Sequence, residues 1–87
     1  MANLDELRQL VDDVMHASTK QEAQHPLRRL KFLAAGLKVN VDPYYARKLG
    51  EVISYAEEAS GRVSNKQHWI SCADRSWYTF EYGVKHP

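Results

Sequence analysis

The hydrophobic positions at the start of the chain recur at helical spacing. Leu4, Leu7, Leu10, Val11, Val14 and Met15 share one face, and Arg8, Gln9, Asp12, Asp13 and His16 fall mainly on the other. The pattern predicts an amphipathic helix over about 4–17. Asn3 is its N-cap, Glu6 completes a capping box, and Asp5 and Glu6 suit the positive end of the helix dipole. Its stripe reads as core-packing, with a partner-binding or dimer-forming stripe as the alternative.

A second helix is expected over about 26–37, with Leu27, Leu30, Leu33, Ala34 and Leu37 as its buried stripe. Thr19 and Glu22 form another capping-box pair, but Pro26 suits a first turn better than a helix interior. The expectation is therefore a short turn at 20–24 and a helix that begins at Pro26. Gly36 and Asn40 both suit its end. The third helix, about 43–60, has the clearest start, because Asp42 and Pro43 read as an N-cap and a first-turn proline. Tyr45, Leu49, Val52, Ile53 and Ala56 line its inner face, and Ser60 with Gly61 closes it. Gly50 costs this helix roughly 1 kcal/mol relative to Ala and marks an expected close approach of two helices.

Beyond Gly61 the period changes. Tyr78, Phe80, Tyr82 and Val84 alternate with Thr79, Glu81 and Gly83, the mark of a strand. His68, Trp69, Ile70, Ser71 and Cys72 are the expected partner strand, with 73–76 as the connecting turn. The predicted fold is thus α+β and mainly helical: three helices followed by a C-terminal β-hairpin over about 67–84, in one small domain over 1–87. The hairpin must pack on the helices or on another chain to be stable.

Composition narrows the class. The chain has 87 residues, 44% of them apolar, with twelve Lys and Arg against eleven Asp and Glu. That balance excludes a disordered chain. Cys72 is the only cysteine, so no internal disulfide forms, and a reducing, cytoplasmic setting is expected. No apolar run is long enough to span a membrane, and the polar, acidic N-terminus is not a signal peptide. A chain of this size buries only about 60–65% of its unfolded surface, which disfavours a deep active site.

Candidate chemistry is sparse. His16, His25, His68 and His86 lie in different elements, and His68 with Cys72 would share a strand, so no metal site is expected. Cys72 reads as a small hydrophobe with no base to activate it. Asp12 with Asp13, and Glu57 with Glu58, are adjacent on helices and point apart. The four glycines are scattered, so no phosphate loop exists. The expectation is a protein that is not an enzyme and needs no cofactor.

Charge is what the chain distributes unevenly. Residues 1–26 hold five acids and two bases, a net of −3. Residues 27–48 hold six bases and only Asp42, a net of +5, and residues 49–87 carry −1. The basic segment nominates Arg28, Arg29, Lys31, Lys38, Tyr44, Arg47 and Lys48 as partner- or anion-binding residues, with the tyrosine able to stack. Trp69, Trp77 and Tyr78 form a second candidate, an aromatic interface, since interfaces favour such residues. Three readings follow: a solvated basic face paired with the acidic first helix, contact with nucleic acid or another anion, or docking on an acidic protein patch.

Three helices and a hairpin resemble the element order of winged-helix domains. Leu33, Ala34, Leu37 and Val39 resemble the end of a first helix and turn in a helix-turn-helix. That resemblance implies a DNA-binding regulator in which Tyr44, Tyr45, Arg47 and Lys48 approach the DNA. The chain departs from it in having Lys38 where the turn glycine belongs, in the length of 38–41, and in an isoelectric point of about 7.9. The leading expectation is a non-catalytic binding protein of inhibitor or adaptor type, similar in size to small phage-encoded accessory proteins. It would dock on a protein or nucleoprotein complex. Direct nucleic-acid or nucleotide binding and a homodimer are the alternatives, and no membrane association is expected.

Overall fold

The computed structural model describes residues 3–86 and contains four helices: α1 (Leu4–Met15), α2 (Lys20–Lys38), α3 (Pro43–Ala59) and α4 (Lys66–Lys85). No strand occurs among the described residues. The α+β expectation is therefore corrected to an all-helical fold, and the hairpin over 67–84 is replaced by a 20-residue helix. The reason lies in a second period within the same residues. Ile70, Ala73, Trp77, Phe80 and Val84 follow one another at steps of three and four, and all face the core. The alternating aromatics include Tyr78 and Tyr82, which are exposed, so only half of the apparent strand face is buried. Aromatic β-propensity is a statement about packing context, and here the helical stripe offers more burial.

Side-chain caps form at the first three helices, and those of α1 and α3 fall where expected. Asn3 Oδ1 accepts from the Glu6 amide at 2.7 Å, and Asp42 Oδ1 accepts from the Tyr44 amide at 2.9 Å. Thr19 Oγ1 accepts from the Glu22 amide at 3.0 Å, while Glu22 Oε2 accepts from the Ser18 amide at 3.2 Å. This cap starts α2 at Lys20, so the expected turn at 20–24 is absent and Pro26 lies inside the helix. Proline removes one helical hydrogen bond there. Ala23, buried in the core one turn earlier, holds the first turn in place despite that loss. The helix also runs through Gly36 to Lys38.

The core draws on all four helices. Leu7, Val11, Val14 and Met15 meet Leu27 and Leu30 of α2, Leu49 and Val52 of α3, and Ala73, Trp77 and Phe80 of α4. α3 and α4 share the most extensive interface, and α1 packs on both α2 and α3. The radius of gyration, 12.2 Å, matches the roughly 12 Å expected of a compact chain of this length.

Two lysines close one end of the bundle. Lys66 Nζ donates to the carbonyls of Met15 and Ala59, each at 2.6 Å, and of Gly61 at 3.0 Å. Lys20 Nζ donates to Glu57 O at 2.7 Å. Cations thereby meet the carbonyl-rich ends of α1 and α3, where the dipole favours them. Gly61 turns the chain there with φ 78°, and its amide donates to Ala17 O at 3.1 Å.

The close helix approach expected at Gly50 occurs instead at Gly83. A Cβ on Gly83 would run into the ring of Tyr45, whereas one on Gly50 would meet only Lys38 Nζ, at 3.7 Å.

Candidate binding surface

The buried positions of α2 are Ala23, Leu27, Leu30 and Ala34, with Leu33 and Leu37 packed beside them. That phase turns Arg28, Arg29, Lys31 and Lys38 outward, and all four are exposed. It also turns outward two residues that a core stripe would normally claim. Phe32 is 70% exposed and Val39 is 79% exposed. With Ala35 and Gly36, they form an apolar ridge along the outer face of α2, flanked by the four bases. The Arg29 guanidinium lies 5.9 Å from the centre of the Phe32 ring. Phe32 was legible as an anomaly: it falls out of phase with the 27, 30, 34 stripe, a large apolar side chain where the helix meets water.

The seven nominated residues do not form one patch. Lys48 Nζ pairs with Glu51 Oε1 at 3.3 Å and lies 5.4 Å from the centre of the Tyr44 ring. Glu51 Oε1 also accepts from Ser76 Oγ of α4 at 3.1 Å, so Lys48 is drawn toward the α3–α4 seam. Arg29 pairs with Glu6 of α1 at 3.8 Å. Arg28, Lys31, Lys38 and Arg47 form no ion pair among the described residues. The expected pairing of the basic face with the acidic first helix therefore reduces to the single Arg29–Glu6 contact. Asp12 of α1 is held by Arg8, which also pairs with Asp74 of α4 at 2.6 Å.

Lys31, Lys38 and Arg47 instead border the groove between α2 and α3. Two shallow hollows adjoin there. Lys31, Ala34 and Ile53 line one, Arg47, Glu51 and Tyr55 line the other, and Lys38, Gly50 and Ser54 line both.

The aromatic candidates separate as well. Trp77 is buried, 7% exposed, beneath Arg8, and packs against Phe80 in the core. Trp69 is half-buried and stacked on Tyr55 with ring centres 6.0 Å apart. Of the three, only Tyr78 faces outward. Trp69, Trp77 and Tyr78 therefore do not share one exposed surface, because the helical register of α4 turns Trp77 into the core and Tyr78 to water.

His68 and Cys72, placed on a strand by their sequence context, occupy successive turns of α4 with Nε2 and Sγ 3.7 Å apart. No group of three or more His, Cys, Asp and Glu suited to a metal ion occurs among the described residues. No helix among them is long and apolar enough to cross a membrane. The winged-helix resemblance loses its carrier, since its wing is the hairpin that α4 replaces. Comparison with protein-family models, curated proteins and solved structures finds no match to this chain. The protein is defined by its own geometry: a four-helix bundle with an apolar ridge on α2 set among bases.

Proposed function

We propose that this is a non-catalytic binding protein that docks, through the outer face of α2, on an acidic and partly apolar segment of another protein. One observation carries the reading: Phe32 and Val39 stand in water on the face of α2 whose flanking Arg28, Lys31 and Lys38 have no ion-pair partner among the described residues. An exposed phenyl ring on a basic helix face is complementary to a segment that presents both aliphatic side chains and carboxylates. The apolar ridge supplies affinity by burial, and the bases supply steering and rejection of basic competitors.

The test is affinity capture from the native host lysate after nuclease treatment, with wild type, Phe32→Glu and Arg28→Glu/Lys31→Glu compared. The expected result is a captured protein with an acidic surface, lost with both variants and weakened in part by salt. Capture that survives Phe32→Glu, or that nuclease abolishes, overturns the reading. Sedimentation of the purified chain supplies a second check. A dimer that Phe32→Glu dissociates would assign the ridge to a second copy and also overturn it.

A further inference from the structure

Gly50 is the starting point. A glycine in the middle of α3 costs about 1 kcal/mol in helix stability, and no neighbouring backbone requires it, because a Cβ there would meet only the Lys38 ammonium at 3.7 Å. It is the floor of the α2–α3 groove. Three cations border that floor from two helices: Lys31 and Lys38 of α2 and Arg47 of α3. None has an ion-pair partner among the described residues. Ser54, one turn beyond Gly50 and exposed, adds a hydroxyl donor to both hollows. The one carboxylate at the groove, Glu51, is already engaged by Lys48 and by Ser76.

We propose that this groove binds a diphosphate group. Three positive charges and a hydroxyl exceed what a single carboxylate can use, and they match a ligand with several anionic oxygens. Two adjoining hollows that share Lys38, Gly50 and Ser54 suit two linked phosphoryl groups, with the Lys38 ammonium between them. The missing side chain at position 50 lets the ligand approach the α3 backbone. This site shares Lys31 and Lys38 with the rim of the α2 ridge, and Ala35 borders both, but diphosphate binding by the purified chain requires no protein partner and is read without one.

The experiment is an amide-correlation NMR titration of the full chain at constant ionic strength, with pyrophosphate, orthophosphate and succinate as probes. Pyrophosphate is expected to give saturable shifts at Lys38, Gly50 and Ser54, and to bind about tenfold or more tightly than the other two, the margin of one additional charge-assisted contact. Lys38→Gln and Arg47→Gln are each expected to weaken it by a similar factor, while Lys85→Gln, on the far helix, leaves it unchanged. Gly50→Leu guards against misfolding as an explanation, because it fills the floor and raises helix propensity together. Binding lost in a protein that melts no lower than wild type supports the site. Equal affinity for orthophosphate or succinate, shifts centred elsewhere, or pyrophosphate binding that survives Lys38→Gln and Gly50→Leu overturns it.

Discussion

Replacing Gly83 by alanine adds one methyl group at the tightest point of the α3–α4 interface. The added Cβ would overlap the ring of Tyr45 at three of its atoms. Tyr45 is half-buried and also meets Tyr44 edge-on with ring centres 5.1 Å apart, so its ring has a second neighbour besides Gly83. Alanine gains up to about 1 kcal/mol of helix propensity, less here because position 83 lies in the last turn of α4. Overpacking of a formed interface costs about 1–3 kcal/mol. The overlap reaches Cγ at the root of the ring and not a flexible chain end, so the steric term wins. The expected net loss is about 1–2 kcal/mol, a fall in melting temperature of roughly 5–10 °C for a chain of this size. Gly36→Ala and Gly50→Ala serve as internal controls. Position 36 has nothing within 4 Å of an added Cβ, so both should gain up to about 1 kcal/mol. Urea denaturation followed by far-UV circular dichroism reads all three. The reasoning fails if Gly83→Ala unfolds at or above the wild-type midpoint. It also predicts that Tyr45→Ala and Gly83→Ala are non-additive, since removing the ring removes the clash.

Lys66→Met should lower stability by about 2 kcal/mol, because three carbonyls lose a charged donor. A wild-type urea midpoint would show that the lysine is dispensable. Asp42→Ala should cost about 1 kcal/mol through loss of the α3 cap, read in the same way. Asn65→Ala should be close to neutral by comparison, because the Asn65 side chain makes no capping bond to α4. Phe32→Glu should leave the melting temperature within a few degrees of wild type, as its side chain is outside the core. A marked loss would place Phe32 in the fold and remove it from the binding surface.

What could be read in advance depended on how many independent signals agreed. α1 and α3 each carried a cap and a single period, α1 with acids in its first turn as well, and both appear within two residues of the expected ends. At α2 the signals conflicted. Thr19 and Glu22 argued for an early start and Pro26 for a late one, and the cap prevailed because Ala23 packs in the core. α4 offered two periods at once. Phe80 and Val84 belong to both the alternating set and the helical set, so the aromatic run could not separate them. The turn proposed at 73–76 was the weak link: it contains neither Gly nor Pro, and Ala73 and Ser76 are buried. For the candidate surface, charge along the chain nominated α2 but gave no sign of the α2–α3 groove. Lys48 sits only one residue from Arg47, yet one turns toward Glu51 and α4 and the other borders α2.

The net charge of +1 conceals how this surface acts. α1 and α2 pack through their apolar stripes, so most of their polar faces point apart, and among the described residues the acids of α1 reach the bases of α2 only through the Glu6–Arg29 pair. At physiological salt, exposed charges are screened beyond about 8 Å. A ligand in the α2–α3 groove therefore responds to Lys31, Lys38 and Arg47 and only weakly to Asp5 or Asp13. Salt also distinguishes the two proposed sites, although they share Lys31 and Lys38. The ridge of Phe32 and Val39 would hold a partner mainly by burial, which salt strengthens or leaves alone. The groove would hold an anion by charge, which salt weakens. Raising ionic strength should thus release a diphosphate while leaving part of the apolar docking energy in place.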